Sequence, residues 1–336
     1  MKALVMQGPG SAQVEDVPAP VRKPGEALLK VRYVGLCGTD LSSYRGRNPL
    51  VSYPRIPGHE IAATIMETDD DCSLAVGTAV TLSPYTCCGK CVACRNRRNN
   101  ACQFNQTLGV QRNGALAEYI SVPVEKLYPA RLGLRELSLV EPLTVGCHAV
   151  ARARITDTDT VVIFGCGGVG LGAVAAAAFR GGKTIAVDVD DGKLEIAKKA
   201  GAAYAINSQK QDLAAAIKEL TDGFGPQVVI EAVGRPETFV AAVELIAYTG
   251  RVVYIGYAKE PVTYETKLFV QKELDIMGTR NALPEDFREV IQMLEAGAFP
   301  VDETISAVVP LDEAPHWLGR WDQRPGEITK ILVNVN

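Results

Sequence analysis

One run of glycines constrains the fold of this chain more than any other feature. The segment Gly165-Cys166-Gly167-Gly168-Val169-Gly170 follows the apolar run Val161-Val162-Ile163-Phe164 and precedes an alanine-rich stretch. A buried strand, a glycine turn and a helix in this order are typical of a βαβ unit that binds a dinucleotide. The glycines permit a tight turn, and the helix N-terminus offers free N–H groups to a pyrophosphate. The residues predicted to bind it are Gly165, Gly167, Gly168, Val169 and Gly170.

An acidic residue follows at the position where such units bind the adenosine ribose. Asp188 ends the strand-like run Ile185-Ala186-Val187, eighteen residues after Gly170. A carboxylate at this position accepts hydrogen bonds from the ribose and repels a 2′-phosphate. The sequence therefore predicts NAD rather than NADP, and the alternative is a glycine turn without a ligand.

The periodicity of the chain changes near residue 155. Before it, short β-branched runs broken by Gly and Pro indicate a mostly antiparallel β domain. After it, strand-like and helical segments alternate, which indicates a parallel sheet covered by helices. Pro284–Gly297 is predicted to form an amphipathic helix, and Ile328–Val335 a strand that joins the N-terminal sheet. The predicted domains are residues 1–150 with 284–336, and residues 151–283.

Charge and composition exclude several classes of partner. Thirty-five basic and 39 acidic residues give a net charge of −4, so neither nucleic acid nor an anionic membrane is an expected partner. The twenty residues Thr160–Phe179 carry no charge, but five of them are glycines, which favours a strand, turn and helix over a membrane span. The N-terminus shows no apolar leader, so we expect a cytoplasmic protein.

Four of the nine cysteines crowd into fifteen residues. Their spacing of three, three and eight is typical of a metal site in a reducing compartment. Four thiolates close a tetrahedral zinc site and leave no position for water, so this zinc is predicted to be structural. The site is expected within a lobe at about residues 85–105, and its ligands are Cys88, Cys91, Cys94 and Cys102.

A second group of candidate ligands is scattered along the chain. Cys37, His59, Glu60 and Glu141 all lie in or beside turns rich in Gly or Pro. A Cys, a His and a carboxylate with one open position form a typical catalytic zinc site. No spacing rule joins these residues, and from spacing alone a hydrogen-bonded His–Glu pair without metal is the simpler interpretation.

Taken together, the motifs resemble the zinc-dependent medium-chain dehydrogenase/reductase family over essentially the whole chain. That resemblance implies a GroES-like, mostly β catalytic domain and a Rossmann domain with a doubly wound parallel sheet. The matching segments are Cys37-Gly38-Thr39-Asp40, Gly58-His59-Glu60, the cysteine lobe, Glu141-Pro142-Leu143 and the Gly165 turn.

The resemblance implies an NAD-dependent alcohol dehydrogenase with one catalytic and one structural zinc per chain. Cys37, His59 and Glu141 are then the ligands of the catalytic zinc, and Glu60 is a neighbouring carboxylate or an exchanging ligand. Thr39 relays the hydroxyl proton of the substrate. The family is usually dimeric or tetrameric, so a homo-oligomer is expected.

Details of the motifs point to a branch of that family. The Glu-Pro-Leu segment at Glu141 resembles polyol, threonine and sugar-acid dehydrogenases, and Gly278–Phe287 is most similar to L-galactonate or L-gulonate 5-dehydrogenases. Ser42 stands where this branch usually carries a His, a variant also found in some cyclitol dehydrogenases. The expected substrate is therefore a secondary alcohol of a sugar acid, polyol or cyclitol.

Late turns of the second domain supply the remaining candidate residues. By resemblance, Ile255, Gly256, Thr279 and Arg280 contact the nicotinamide end of the cofactor. Arg280, Asn281 and Arg45 are tentative substrate contacts, since an Arg binds a carboxylate bidentately. Two other functions are open: a zinc-free NAD(P)H reductase on this fold, and a dinucleotide-binding regulator that is not an enzyme.

Overall fold

A computed structural model describes residues 1–335, which divide into two units. The first comprises Met1–Glu141 and the segment from Val301 to the C-terminus, and the second comprises Pro142–Pro300. The strands are β1 Lys2–Gly8, β2 Ser11–Asp16, β3 Glu26–Leu36, β4 Glu60–Glu67, β5 Ala79–Leu82, β6 Tyr85–Thr86, β7 Gln106–Thr107, β8 Tyr119–Pro123, β9 Leu127–Pro129, β10 Thr160–Phe164, β11 Lys183–Asp188, β12 Tyr204–Asn207, β13 Val228–Glu231, β14 Arg251–Tyr254, β15 Asp275–Gly278, β16 Ala307–Pro310 and β17 Ile331–Asn334.

The α-helices vary from one turn to five or six turns in length. They are α1 Gly38–Tyr44, α2 Val92–Arg95, α3 Leu134–Ala153, α4 Gly168–Phe179, α5 Asp191–Lys199, α6 Leu213–Leu220, α7 Pro236–Leu245, α8 Lys267–Gln271, α9 Pro284–Glu295, α10 Val301–Thr304 and α11 Ala314–Gln323. None of the helices formed by residues 1–335 is both long and apolar enough to cross a membrane.

The first unit is built around the long strand β3. Its alternate residues Ala27, Leu29 and Val31 are fully buried, as expected for a strand with one face in a core. One edge of β3 pairs with β4, and the other pairs with β8 and then with β17. All these pairings are antiparallel, which confirms the predicted mostly β domain.

The C-terminal strand completes this sheet. Strand β17 lies between β16 and β3, with Val333 opposite Val34. The predicted host of the terminal strand is therefore confirmed. The strand is shorter than the predicted Ile328–Val335, because only Ile331–Asn334 pair with both neighbours.

The second unit is a six-stranded sheet in which every pairing is parallel. The strand order is β12-β11-β10-β13-β14-β15, so the order reverses between β10 and β13. Residues 161–164 of β10 and 228–230 of β13 are apolar and buried, as expected where helices cover both faces of a parallel sheet. This is the predicted doubly wound sheet, and its reversal is where ligands of such sheets bind.

The boundaries of the units differ from the predicted ones. The boundary at Glu141 and Pro142 falls inside helix α3, whereas the prediction placed it after residue 150. Helix α9, predicted to belong with the N-terminal domain, lies in the second unit. Phe287 on α9 is fully buried, and Arg180, the C-cap residue of α4, forms a bidentate ion pair with Glu289 at 2.6 Å. These contacts hold α9 to the sheet.

Candidate active site and candidate metal centres

Three of the scattered candidate ligands meet at one buried point of the first unit. Cys37 is the N-cap residue of α1, His59 directly precedes β4, and Glu60 is the first residue of β4. One potential ligand atom from each of these residues lies within 4.8 Å of the others. We call Cys37, His59 and Glu60, together with Glu141, the mixed cluster.

A buried aspartate fixes the backbone beneath this cluster. Asp40, which is fully buried, accepts hydrogen bonds from the N–H of Cys37 at 2.9 Å and of Gly58 at 3.3 Å. Its Oδ1 also lies 3.9 Å from Nδ1 of His59. One carboxylate thus orders the turns that carry both the thiol and the imidazole.

The charge state of His59 reflects its anionic surroundings. Burial acts to lower the pKa of His59, but Cys37 and Asp40 outweigh it and hold this pKa well above the ordinary 6.5. Nδ1 of His59 is buried and has no hydrogen-bond partner among the described residues. An imidazole with an unsatisfied ring nitrogen beside a thiol and carboxylates is typical of a metal ligand set.

Glu141 approaches the same site from helix α3. It is 3% exposed, and its Oε1 accepts a short hydrogen bond from the hydroxyl of Tyr85. Burial raises the pKa of Glu141 to about 7, against the opposite effect of His59. Burial and the neighbouring Glu141 also raise the pKa of Tyr85. The Tyr85 phenol therefore stays a donor that orients this carboxylate.

Glu60 has a different partner. Both of its carboxylate oxygens accept hydrogen bonds from Nζ of Lys330, at 2.7 and 2.6 Å, and both side chains are buried. Burial acts to lower the pKa of Lys330, but Glu60 outweighs it, so the pKa of the lysine is raised. Gly35 leaves the necessary space, because a Cβ there would lie 2.0 Å from Oε2 of Glu60.

The four clustered cysteines form a separate lobe of the first unit. Strands β6 and β7 pair at its base, and its sulfur atoms all lie within 4.8 Å of one another. The predicted limits of 85–105 therefore match the ribbon Tyr85–Thr107 closely. Cys87 is exposed and outside the cluster. The lobe ligand atoms come from Cys88, Cys91, Cys94 and Cys102.

Backbone N–H groups stabilise negative charge on these sulfurs. The N–H groups of Lys90 and Cys91 donate to Sγ of Cys88 at 3.4 Å, and that of Phe104 donates to Cys102 at 3.3 Å. Backbone hydrogen bonds lower the pKa of Cys91 to about 6, whereas burial raises the pKa of Cys94 to about 12. Four adjacent thiols cannot all ionise without a cation, so this donor set fits zinc.

The glycine turn has the geometry that its sequence predicts. Gly165 adopts φ +91°, and a Cβ at Gly170 would lie 1.8 Å from the Gly165 carbonyl oxygen. Helix α4 begins at Gly168 with Gly167 as its N-cap, and no side chain caps it. A Cβ at Gly167 would meet nothing within 4 Å. The helix N-terminus is thus open to an anion.

The other predicted cofactor residues lie at the same edge of the sheet. Oδ2 of Asp188 accepts a hydrogen bond from the N–H of Cys166 at 2.7 Å, so the acid is fixed beside the glycine turn. Ile255 and Gly256 follow β14, and Thr279 follows β15. The hydroxyl of Thr279 is buried and has no hydrogen-bond partner among the described residues. These features fit a dinucleotide along the carboxyl edge.

The tentative substrate residues differ in their surroundings. Arg45 forms an ion pair with Asp322 and donates to its backbone carbonyl at 2.9 Å, so its guanidinium is already bound within the first unit. Arg280 is exposed, and Asn281 has a positive φ of 51° directly after it. Thr39 and Ser42 are partly buried on α1.

Sequence analysis assigned no role to Asp40, Tyr85 or Lys330. Asp40 offered a local signal, because it lies three residues after Cys37 at the start of a helix. Lys330 offered a weaker one, since it directly precedes the apolar run Ile331–Val333. Tyr85 offered none, because its partner Glu141 is 56 residues away.

Family models match both units. The alcohol dehydrogenase GroES-like domain matches residues 23–131, and the zinc-binding dehydrogenase domain matches residues 168–296. The chain belongs to the zinc-type alcohol dehydrogenases of the medium-chain dehydrogenase/reductase superfamily. This confirms the family resemblance and the fold class predicted from the motifs.

Individual relatives narrow the branch. The chain is 36% identical to an erythritol/L-threitol dehydrogenase of Mycolicibacterium smegmatis, over 93% of this chain and 92% of the relative. It is 33% identical to the L-galactonate-5-dehydrogenase of Escherichia coli, over 92% of each. An alcohol dehydrogenase from Escherichia coli CFT073 in complex with NADH superposes with a TM-score of 0.91 at 28% identity, covering 100% and 99% of the two chains. Another neighbour of similar fold is bound to NADP. The chain is thus related to dehydrogenases of polyols and sugar acids.

Proposed function

We propose that this chain oxidises a secondary alcohol of a sugar acid, polyol or cyclitol to the ketone, with zinc and NAD as cofactors. The observation that carries the proposal is the meeting of Cys37, His59 and Glu60 at one point, with the buried carboxylate of Glu141 close enough to interact electrostatically with His59. A thiolate, an imidazole and a carboxylate are the donors of catalytic zinc sites with an open position. The glycine turn at Gly165 supports the second half of the proposal.

Cys37, His59 and Glu141 would hold the catalytic zinc, which supplies Lewis-acid polarisation of the substrate hydroxyl when bound. Glu60 is the other available carboxylate, but both of its oxygens already accept from Lys330. An ammonium group and a metal compete for the same lone pairs. We therefore assign Glu141 as the third ligand and Glu60 as a neighbouring, charge-neutralised carboxylate.

Other residues of the first unit would prepare the site. Tyr85 orients Glu141 through a hydrogen bond, as neighbours of metal ligands commonly do, whereas Asp40 fixes the backbone at Cys37 and Gly58 and places a negative charge 3.9 Å from His59. Thr39 would accept the proton of the substrate hydroxyl. Ser42, unlike a His at this position, cannot store that proton as a charge near neutral pH, so it would pass the proton to water.

NAD is the proposed hydride acceptor. Oδ1 of Asp188 accepts from the N–H groups of Val189 and Asp190 at 2.8 and 3.1 Å, so its negative charge stays at the carboxyl edge of β11. This charge repels a 2′-phosphate, and Val189 offers no cation to bind one. A kinetic comparison tests the preference: a higher kcat/KM with NADP would contradict it.

A substrate screen tests the proposed reaction. NAD reduction is measured over aldonates, alditols and cyclitols, and activity on an aldonate without activity on alditols would favour the sugar-acid assignment. Arg280 and Asn281 would then contact the carboxylate. Arg45, which is paired with Asp322, is the weaker of the tentative contacts.

Metal analysis separates this proposal from a zinc-free reductase on the same fold. About two zinc ions per chain support the proposal, whereas about one supports a chain with only the four-cysteine site. Absence of turnover on every alcohol and carbonyl class would favour a dinucleotide-binding regulator. The homo-oligomeric state and the cytoplasmic location stay predictions.

A further inference from the structure

Glu231 is a buried carboxylate of the parallel-sheet unit that belongs to neither group of potential metal ligands. Glu231 is the last residue of β13, is fully buried, and has no ion-pair partner among residues 1–335. Its Oε1 accepts three hydrogen bonds: from the N–H groups of Val233 and Gly234 at 2.8 Å, and from the hydroxyl of Thr238 at 2.7 Å. Its Oε2 has no hydrogen-bond partner. The Glu231 side chain thus fixes the loop that follows β13 at both ends, from Val233 to Thr238.

The backbone carbonyl of the same residue holds the next loop. It accepts hydrogen bonds from the N–H groups of Ile255 at 2.8 Å and Gly256 at 3.1 Å, the two residues that follow β14. Side chain and main chain of Glu231 therefore connect two loops at the carboxyl edge of the sheet.

These loops pack backbone against backbone around the carboxylate. A Cβ at Gly256 would lie 2.4 Å from the nitrogen of Gly234 and 2.5 Å from Oε2 of Glu231. A Cβ at Gly165, in the glycine turn, would lie 2.8 Å from Val233. The loops after β10, β13 and β14 are therefore in contact, and a shift of one displaces the others.

The position of these loops indicates which half of a dinucleotide they face. The strand order reverses between β10 and β13, and a dinucleotide lies across that reversal with its pyrophosphate at the glycine turn. Asp188 marks the adenosine side, on β11. The loops after β13 and β14 lie on the opposite side, where the nicotinamide half is bound.

We propose that Glu231 is a positioning residue for the nicotinamide half of the cofactor. It does not touch the cofactor; its carboxylate and carbonyl fix the loops at Val233–Gly234 and Ile255–Gly256 that do. This inference rests on the proposed NAD-dependent function and adds a role that neither metal cluster requires.

The isosteric variant Glu231→Gln tests this role. The amide keeps one oxygen for the three donors, but its NH₂ group takes the place of Oε2, which has no hydrogen-bond partner among the described residues and lies against the backbone of Gly256. A buried donor without a partner is unfavourable, so the loop after β14 must move. Thr238→Val removes one of the three donors and leaves the carboxylate in place. Glu237→Gln is the matched control, because Glu237 is an exposed acid on α7, the helix that also carries Thr238.

The measurement compares two ligands of the zinc-loaded, full-length protein. NADH binding is followed by fluorescence, and binding of ADP-ribose, which lacks the nicotinamide, by calorimetry. We expect Glu231→Gln to weaken NADH binding by about tenfold or more and ADP-ribose binding by less than about twofold, with zinc content unchanged. Thr238→Val should weaken only NADH binding, by about threefold, and Glu237→Gln should match the parent protein.

Any other result would contradict either the role of Glu231 or the proposed NAD-dependent function. Equal weakening of both ligands would mean that Glu231 only stabilises the unit, and unchanged NADH binding would mean that it positions nothing; either overturns the inference. If Glu231→Gln does not fold, Thr238→Val provides the test. Equal weakening of NADH and ADP-ribose binding, or unchanged NADH binding, in that variant would overturn the inference. A parent protein that binds neither NADH nor NADPH overturns the proposed function itself, whereas normal binding by the parent and by both variants overturns only the role of Glu231.

Discussion

The two groups of potential metal ligands in the first unit differ in donors, in charge and in the origin of their neighbours. The cysteine lobe uses four identical donors from fifteen consecutive residues, and backbone N–H groups stabilise its sulfurs. The mixed cluster uses three kinds of donor from distant segments, and it is surrounded by the buried side chains of Asp40 and Lys330 and the partly buried Tyr85. The lobe is a local structure, whereas the mixed cluster depends on the whole unit.

This is the difference expected between a structural metal site and a catalytic one. Four thiolates saturate a tetrahedral ion and leave no position for water or a substrate. In and beside the mixed cluster, His59, Glu141 and Tyr85 have raised pKa values, so an imidazole, a carboxyl group and a phenol with perturbed titration lie close together. Perturbed titration is typical of catalytic surroundings. Five predictions test this difference between the cysteine lobe and the mixed cluster.

Cys37→Ala should abolish turnover while leaving the lobe intact. We expect kcat/KM to fall by at least about 10³-fold, because Lewis-acid stabilisation supplies several kcal/mol. Zinc analysis should show about one ion per chain in place of about two. Full activity in this variant would mean that the mixed cluster is not catalytic.

Lys330→Met should destabilise the unit, because it leaves Glu60 charged, buried and unpaired. The expected loss in the free energy of unfolding is about 3–5 kcal/mol, measured by denaturant titration. The double variant Lys330→Met/Glu60→Gln removes both charges and should recover most of this loss. A loss below about 1 kcal/mol, as for exposed pairs, would mean that the pair is not needed for charge compensation.

The metal-free protein should lose stability as the pH rises. The pKa of Glu141 is raised from 4.5 to about 7 in the folded state, so the folded protein binds a proton that the unfolded chain releases. The stability present below pH 4.5 is therefore lost as the pH rises through about 7. Thermal unfolding after chelation should show this slope. The slope should flatten in Glu141→Gln; an equal slope in that variant would contradict the assignment.

Tyr85→Phe should loosen metal binding without changing the ligand set. Removal of a hydrogen-bonded neighbour of a metal ligand typically lowers affinity by about 10-fold to 100-fold, and we expect the lower end. Competition with a chromophoric chelator measures this affinity. Because Phe keeps the ring, thermal stability serves as the control for packing. Unchanged zinc affinity would assign Tyr85 to packing alone.

Cys91→Ser, in the lobe, should have the smallest effect on chemistry. It opens the closed site and should lower thermal stability and zinc content, but kcat per folded chain should stay within about threefold of the parent protein. Loss of turnover as large as that of Cys37→Ala would remove the distinction between the two groups.

The features that could be predicted from sequence are those encoded by short spacings. The Gly165 turn, the four lobe cysteines and helix α9 each lie within about fifteen residues, so periodicity and motif spacing suffice. Helix α9 begins at the predicted Pro284 and ends at Glu295, two residues before Gly297, which adopts φ +67°. The unit to which α9 belongs was predicted wrongly, because its packing partners on α3 and α4 lie more than 100 residues away.

The ligands of the mixed cluster could be predicted only from the family resemblance. The residues that support them, Asp40, Tyr85 and Lys330, were predicted neither from motif spacing nor from that resemblance. Lys330 and Glu60 are 270 residues apart, and neither belongs to a motif that includes the other. Their contact arises only because β17 pairs with β3 while β3 pairs with β4. Sheet order between distant segments is not encoded in local periodicity, so such pairs become visible only in the folded chain.

The position of β17 also has a consequence for synthesis of the protein on the ribosome. The strand separates β16 from β3, so the sheet of the first unit stays incomplete until β17, which follows the whole second unit in sequence, has left the exit tunnel. The inserted segment Pro142–Pro300 is contiguous and can fold earlier, because domains form during translation as their residues emerge. Lys330 is synthesised 270 residues after Glu60, so the nascent chain holds Glu60 without its counter-charge until that point.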